Sequence, residues 1–332
     1  MLKLVVLGKS TPRGNRMTPP FLLGGKPHRW LNRRVKPEVC TPSSLPPPKA
    51  GRKRYGVLGS PVAHSLSPAM QEAGFRALGI PAEYLRVEIP AGDLQKALPQ
   101  LQKSGFAGWN CTLPHKEAMF ALCPETDEAA RESETVNTVV VSEKGLQGHS
   151  TDADGWEDAV AEAWQLDLSG QRILLLGCGG VGRTLAFRLA RRGCRHLRLA
   201  NRTSSNATQL ADKLLSSKKL PVSVIPWNPA ELSQAVQDSD LLIQATPVGL
   251  AAADPLPIPE SSLHPGLRIY DTVYHQDLTP LVRAARARHL PALDGLGMLL
   301  HQGARALSIW SGRAAPLAEM RAALEKAAGR PI

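Results

Sequence analysis

The chain has 332 residues, a length typical of two domains, and a formal net charge of +11. No apolar run reaches the roughly 18 residues that a membrane-spanning helix needs, so we expect no membrane partner. The charge lies at one end, because residues 1–54 hold 13 of the 40 Lys and Arg residues and one of the 29 acidic residues. The rest of the chain is close to neutral, and we expect no nucleic acid partner there.

Residues 1–53 are predicted to form a disordered extension, because this segment is basic and rich in proline. The apolar stretch Leu2–Leu7 is too short for a secretory signal. A transit peptide, a segment upstream of the true translation start and a nucleic-acid tether are alternatives. The tether is the least favoured of these, because only Phe21 and Trp30 could stack on bases.

The five cysteines form no C-x-x-C pair and no cluster with histidine, so we expect reduced thiols and no metal site. Reduced thiols favour a cytoplasmic location.

The first predicted strand, Tyr55–Leu58, is followed by Gly-Ser-Pro-Val-Ala-His-Ser-Leu-Ser-Pro at residues 59–68. Ser67 before a proline is typical of a helix N-cap, and this helix is predicted to end at Gly79. Ser65 lies just outside that helix. Two hydroxyl groups near a helix N-terminus suit an anionic or polyhydroxylated small molecule.

Residues 108–117, Gly-Trp-Asn-Cys-Thr-Leu-Pro-His-Lys-Glu, place three polar groups around a predicted strand-to-helix turn. Thr112 is the predicted N-cap, and Pro114 fits the first helical turn. Lys116 then lies where the helix dipole disfavours a cation, which indicates a functional rather than a structural lysine. Asn110 adds an amide to the same turn.

Residues 148–155, Gly-His-Ser-Thr-Asp-Ala-Asp-Gly, add a carboxylate at the start of another helix. Thr151 and Asp154 fit a capping box there, which leaves Asp152 as a second polar group at the helix start.

These stretches together resemble the shikimate dehydrogenase family over roughly residue 55 to the C-terminus. The family has a serine pair, an Asn-x-Thr-x-Pro-x-Lys element, a Val-Asn-Thr element and a Thr-Asp element in this order. The corresponding residues are Ser65 and Ser67, then Asn110, Thr112 and Lys116, then Asn137, and then Asp152. Two departures stand out: Ser150 replaces the usual Asn, and Glu134-Thr135 replaces the usual Gly-Ala pair.

Residues 172–182 form an apolar strand that runs into a glycine turn, followed by a predicted helix at 183–192. Gly177, Gly179 and Gly182 match the dinucleotide fingerprint G-x-G-x-x-G, in which glycines permit a tight turn and close approach to pyrophosphate. The whole turn is Gly177-Cys178-Gly179-Gly180-Val181-Gly182.

The predicted second strand, 196–200, ends in Asn201-Arg202-Thr203 rather than in the acidic residue typical of an NAD site. A guanidinium suits the 2′-phosphate of NADP, since it binds phosphate oxygens in a bidentate manner. The resemblance implies an adenosine-phosphate role for these residues, but a second arginine usual in the family is Asn206 here. We therefore predict NADP as the cofactor.

The remaining elements alternate between strands and helices, which predicts a doubly wound parallel sheet. The strands are predicted at Val222–Ile225, Leu241–Ala245 and Arg268–Thr272, and the helices at 205–217, 229–237 and 297–310. By resemblance, Thr246, Thr272 and Gly295 flank the nicotinamide, while Tyr274 and Gln302 contact substrate.

The predicted fold is α/β with two domains. The resemblance implies a substrate-binding domain at 54–152, to which 296–332 returns, and an inserted Rossmann-like domain at 153–295 that binds NADP. It implies reversible reduction of 3-dehydroshikimate to shikimate in the chorismate pathway, with Lys116 and Asp152 as catalytic residues. We expect a monomer or a homodimer.

Three alternatives remain open at this stage. A quinate/shikimate dehydrogenase shares the same catalytic pair, although Arg202 argues against a strictly NAD-linked form. A catalytically silent ligand sensor would not need both Lys116 and Asp152. A folate-linked or other dehydrogenase with a similar pair of domains would lack the serine motif at 59–68.

Overall fold

The computed structural model describes residues 38–217, 220–251 and 253–332. The described residues all belong to one compact unit. Within the described residues no helix is both long enough and apolar enough to cross a membrane. The predicted extension lies outside the described residues as far as residue 37.

The first sheet has the strand order β2-β1-β3-β5-β6-β4. Its strands are β1 (Lys53–Gly59), β2 (Ala82–Glu88), β3 (Gly108–Cys111), β4 (Glu125–Thr126), β5 (Thr138–Ser142) and β6 (Gly145–His149). β1 pairs in parallel with β2 and β3, whereas β5 is antiparallel to β3 and β6. The start of β5 therefore lies beside the end of β3, where Asn110 is opposite Thr138.

The second sheet is parallel throughout, with the order β12-β11-β10-β7-β8-β9. Its strands are β7 (Arg172–Leu176), β8 (His196–Ala200), β9 (Val222–Ile225), β10 (Leu241–Gln244), β11 (Arg268–Asp271) and β12 (Ala292–Leu293). The order reverses direction at β7, so helices cover both faces. This arrangement confirms the predicted doubly wound sheet.

The helices follow the strands in α/β alternation. They are α1 (Ser67–Ala77), α2 (Leu94–Lys103), α3 (Lys116–Leu122), α4 (Glu128–Ser133), α5 (Asp152–Trp164), α6 (Gly180–Arg191), α7 (Ser204–Ser217), α8 (Pro229–Gln237), α9 (Pro280–Ala287), α10 (Leu296–Ser311) and α11 (Leu317–Ala328). Buried side chains of α10 and α11, such as Leu300 and Met320, pack with Tyr55 and Phe75 of the first sheet region. The C-terminal helices therefore contribute to the core beside the first sheet.

The extension prediction is wrong for residues 38–53. The Cys40 amide donates to the carbonyl oxygen of Arg86 at 2.9 Å, and the Glu88 amide donates to that of Cys40 at 2.8 Å. The Cys40 side chain is buried, and Nη1 of Arg54 donates to the carbonyl oxygen of Pro46 at 2.9 Å. The physical reason is that β2 is an edge strand, whose unpaired backbone groups accept an extended segment regardless of its composition.

Helix starts also differ from the predictions. α1 begins at Ser67 itself, with Leu66 at the N-cap, and α3 begins at Lys116 with His115 at the N-cap, so Thr112 caps no helix. α6 begins three residues before the predicted 183, at Gly180. Thr151 does precede α5, but its side chain forms no cap hydrogen bond.

Candidate active site

A cavity of about 150 Å³ lies beside the carboxyl ends of β1 and β3, where the starts of α5 and α10 meet them. All the residues predicted to bind substrate line it, and they come from segments far apart in the chain. They are Ser65, Ser67, Asn110, Thr112, Lys116, Asn137, Asp152, Tyr274 and Gln302. The structure therefore brings this predicted set together.

Lys116 and Asp152 form an ion pair at the cavity wall, with Nζ 2.5 Å from Oδ2. The side chain of Asp152 is 4% exposed and that of Lys116 is 12% exposed. A charge-assisted hydrogen bond in this poorly solvated place fixes the orientation of the ammonium group. Each group begins a helix, since Lys116 opens α3 and Asp152 opens α5.

Asn137 holds the carboxylate in place. Its Nδ2 donates to Oδ1 of Asp152 at 2.9 Å and to Oε1 of Gln302 at 3.2 Å. Its Oδ1 accepts from the Thr151 amide at 2.9 Å, and the Thr151 hydroxyl donates to the carbonyl oxygen of Gln302 at 3.1 Å. Thr151 therefore links β5, α5 and α10, which is why it forms no capping box.

Asn110 is held by a second group of hydrogen bonds. Its Nδ2 donates to the carbonyl oxygen of Asn137 at 3.0 Å and to Oγ1 of Thr138 at 2.9 Å, while its Oδ1 accepts from the hydroxyl of Tyr84 at 2.6 Å. Burial raises the pKa of Tyr84 well above its ordinary value, so the phenol stays a donor. No motif marks Tyr84 in the sequence, and residue-based reasoning missed it.

The serine pair forms another part of the cavity wall. Both serines are buried, and Oγ of Ser65 accepts from the Ser67 amide at 3.3 Å. Arg86 donates to the carbonyl oxygen of Ser65 at 2.7 Å through Nη2 and at 3.0 Å through Nε. Desolvation raises the pKa of Tyr274, despite hydrogen bonds to Leu66 and Ser65 that oppose this change, so its phenol remains a proton donor.

A larger groove of about 550 Å³ adjoins the cavity at the carboxyl end of the second sheet. The two spaces share seven wall residues, namely Pro61, His64, Thr112, Lys116, Val181, Thr272 and Tyr274. Most residues predicted to bind the cofactor line the groove, namely Gly177, Gly179, Gly180, Val181, Asn201, Arg202, Thr203, Asn206, Thr246 and Thr272. Gly295 lines the smaller cavity instead, and Cys178 and Gly182 line neither space.

The glycine turn has the conformation that a dinucleotide site needs. Gly177 has φ of +96°, a region that favours glycine. A Cβ on Gly182 would lie 1.9 Å from the carbonyl oxygen of Gly177, so only glycine lets α6 approach the turn. A Cβ on Gly179 would meet nothing within 4 Å, which leaves open space above the N-terminus of α6. These features fit a pyrophosphate group.

Two polar residues after β8 are placed differently from each other. Asn201 holds the turn, since its Oδ1 accepts from the Cys178 amide at 3.0 Å and its Nδ2 donates to the carbonyl oxygen of Thr203 at 2.9 Å. Arg202 is exposed at the groove, where its guanidinium can reach a bound phosphate.

The three histidines of the substrate motifs have different surroundings. Buried His115 contacts the carbonyl oxygen of Ile89, and half-buried His149 contacts Asp127. His64 lines both the cavity and the groove.

Three segments match models of one family. Residues 57–139 match the shikimate dehydrogenase substrate binding domain, residues 159–252 match shikimate / quinate 5-dehydrogenase, and residues 295–325 match the shikimate 5'-dehydrogenase C-terminal domain. A shikimate dehydrogenase (NADP(+)) of Rubrobacter xylanophilus is 43% identical over 273 residues, which cover 81% of this chain and 94% of that protein. The chain belongs to the shikimate dehydrogenase family.

Solved structures agree with this membership. A shikimate 5-dehydrogenase of Thermus thermophilus in complex with NADP(H) and shikimate matches with a TM-score of 0.72 and 34% identity, over 83% of this chain and 99% of that one. A quinate dehydrogenase of Corynebacterium glutamicum in complex with NAD matches with a TM-score of 0.73 and 29% identity, over 83% and 99% of the two chains. The family thus includes proteins named for different substrates.

Proposed function

We propose that this protein is a shikimate dehydrogenase that catalyses the reversible, NADPH-dependent reduction of 3-dehydroshikimate to shikimate. The observation that carries the proposal is the position of the Lys116–Asp152 pair: both residues line the small cavity, and Lys116 also lines the adjoining dinucleotide groove. The cavity is large enough for one small polar ring, and its walls offer hydroxyl, amide, ammonium and carboxylate groups.

The mechanism follows from the proton demand at the reacting oxygen. NADPH, when bound, supplies the hydride, and the ring carbonyl oxygen then develops negative charge. Lys116 lines the cavity, and its ammonium group can donate a proton to that oxygen. Asp152 orients the ammonium through the 2.5 Å contact, and Asn137 holds the other carboxylate oxygen. In the reverse direction the same lysine accepts the proton from a shikimate hydroxyl.

The other cavity residues bind substrate in this proposal. Ser65 and Ser67 hold the carboxylate at one wall, and Asn110, Thr112 and Gln302 hold ring hydroxyls. Tyr274 closes the side toward the groove, since it lines both spaces. We assign the substrate domain to 54–152 together with 296–332, and the cofactor domain to 153–295. The packing of α10 and α11 beside the first sheet supports this division.

Arg202 supports NADP over NAD as the cofactor. It is exposed at the end of β8, where the sequence has no acidic residue to bind a ribose hydroxyl. A quinate/shikimate dehydrogenase is the second candidate, because a quinate dehydrogenase matches this chain with a TM-score of 0.73, close to the 0.72 of the shikimate 5-dehydrogenase. A broader specificity would alter which ring hydroxyls are held, but not the catalytic pair.

The purified protein should be assayed with shikimate and with quinate, each with NADP and with NAD, by the absorbance of the reduced nicotinamide. We expect shikimate with NADP to give the highest kcat/KM of the four combinations. Faster turnover of quinate with NAD would contradict the proposal and favour the quinate enzyme. An absence of turnover with all four pairs would favour a ligand sensor.

A further inference from the structure

The segment from Glu134 to Asn137 connects the helix at the dinucleotide groove to the catalytic pair, one residue after another. Glu134 forms an ion pair with Arg183 of α6, and Thr135 contacts Thr184 of α6. The Val136 amide donates to the carbonyl oxygen of Lys116 at 2.9 Å. Asn137 then binds the carboxylate of Asp152, as described above.

Glu134 is held in an unfavourable backbone conformation, with φ of +52° at the end of α4. Its carboxylate binds Lys213 of α7 as well as Arg183 of α6, so it contacts both helices that flank the groove. The hydrogen bond from Lys213, together with that from Arg183, lowers the pKa of Glu134 against the opposing effect of desolvation. Arg183 also lies 3.8 Å from Glu117, the residue after Lys116.

Thr135 provides the buried part of the connection. Its side chain is fully buried, and its Oγ1 is 2.8 Å from Oγ of Ser133 and 2.8 Å from Oγ1 of Thr184. The Thr184 hydroxyl donates to the carbonyl oxygen of Gly180 at 2.8 Å. This row of hydroxyls ends at the first residue of α6, beside the glycine turn, and a Cβ on Gly180 would lie 3.2 Å from Cβ of Lys116.

Resting on the function proposed above, we propose that Glu134 and Thr135 are positioning residues, which set the dinucleotide helix α6 relative to Lys116 and Asp152. A glycine and an alanine, the pair that the family resemblance led us to expect here, have no side chains that could make either contact. Hydride transfer depends on the distance between a group bound on α6 and a ring bound beside Lys116. A shift of about 1 Å in such a distance can lower turnover by about a hundredfold.

This role differs from simple stabilisation. The Glu134 contacts are partly exposed, and exposed ion pairs contribute about 0–1 kcal/mol to stability. Their loss should therefore change the melting temperature little. The cofactor itself would bind mainly at the glycine turn, 177–182, and at the loop after β8, whereas Glu134 and Thr135 contact α6 further along, at Arg183 and Thr184. The proposal thus predicts lower turnover with nearly unchanged binary affinity for NADP.

The test compares Glu134→Gln, Thr135→Val and the double variant with the wild-type protein. We expect kcat to fall about threefold in each single variant and about tenfold or more in the double variant, with the Kd for NADP within about twofold of wild type. Thr135→Ser keeps the hydroxyl and should keep kcat. Glu128→Gln removes an exposed ion pair between α4 and Arg191, near the other end of α6, and should also keep kcat.

Unchanged kcat in both single variants would overturn the proposal. Equal losses of kcat in Glu128→Gln and Glu134→Gln would also overturn it, because the loss would then follow from removing any ion pair to α6 and not from the position of Glu134. If the double variant does not fold, the single variants decide the matter.

Hydrogen exchange separates this proposal from the proposed function. In Thr135→Val we expect faster exchange at the amide of Val136 and at the amides of α6 that follow Gly180. This measurement does not depend on whether the protein turns over shikimate. If the wild-type protein fails to oxidise shikimate, the proposed function fails, whereas the exchange result still decides the positioning claim. Unchanged exchange at these amides would overturn it.

Discussion

Substituting Gly179 or Gly182 by alanine, in two separate variants, should separate effects on cofactor binding from effects on folding. Gly179 faces open space, whereas Gly182 packs closely against the glycine turn. In Gly182→Ala the new Cβ would lie 1.9 Å from the carbonyl oxygen of Gly177, although real Cβ contacts essentially never fall below 3.0 Å. The start of α6 must therefore move by about 1 Å. Overpacking of this kind costs about 1–3 kcal/mol.

Gly179→Ala adds a methyl group to open space at a position with φ of −81°, which alanine tolerates. We expect the free energy of unfolding of this variant to equal that of the wild type within about 0.5 kcal/mol. The same methyl group would occupy the space in which the backbone approaches a pyrophosphate, so the affinity for NADP should fall by about tenfold or more.

Both variants should be studied by urea unfolding without cofactor and by fluorescence titration with NADP. Gly182→Ala should lose stability and affinity together, whereas Gly179→Ala should lose affinity alone. Wild-type affinity in Gly179→Ala would refute the placement of the pyrophosphate at the start of α6. Wild-type stability in Gly182→Ala would refute the close approach of that helix to the glycine turn.

Three further predictions concern charge, the docked N-terminal segment and pH. Arg202→Ala should raise the KM for NADP much more than the KM for NAD in steady-state assays, and equal changes would show that Arg202 does not discriminate. Deleting residues 1–52 should lower the Tm below that of the deletion of 1–37, because only the longer deletion removes the Cys40 pairing with β2; equal Tm values would contradict the docking. Burial raises the pKa of Asp271 from 3.8 to about 7, so ionisation opposes folding. As pH rises from about 4 to 7, the free energy of unfolding of the wild type should therefore fall relative to that of Asp271→Asn, by at most about 4 kcal/mol. Urea unfolding at several pH values measures this difference, and a difference that stays constant would contradict the raised pKa.

The second sheet was largely predictable from the sequence, because each apolar strand is short and bounded by turn residues. The strands at 196–200 and 222–225 were predicted with the observed bounds. Consecutive buried positions such as Leu241–Gln244 reflect a parallel sheet covered on both faces, and this produces a clear signal in one sequence.

Helix starts were less predictable, because a hydroxyl that fits a cap can be used elsewhere. The Thr151 hydroxyl binds the carbonyl oxygen of Gln302, which is 151 residues away in the chain. Asp154, the expected partner of the capping box, forms an ion pair with Arg188 of α6. Local patterns do not contain these tertiary partners, and the same reason hides the contact between Tyr84 and Asn110.

The N-terminal segment shows that composition alone does not predict whether a segment is ordered. Residues 38–52 are rich in proline and poor in apolar residues, yet Cys40 pairs with the edge of β2 through backbone atoms. Backbone pairing needs no particular side chains. The residues predicted to bind substrate, in contrast, all line one cavity, and their roles are proposals.

The most direct test of the central claim is the effect of Lys116→Ala on turnover and on substrate binding, measured in one preparation. A group that transfers a proton in the transition state contributes about a hundredfold to ten-thousandfold to turnover. We therefore expect kcat with shikimate and NADP to fall by about that factor, while the Kd for shikimate, measured by calorimetry, changes much less. Wild-type kcat in Lys116→Ala would contradict the account, because the proton would then be transferred by another group.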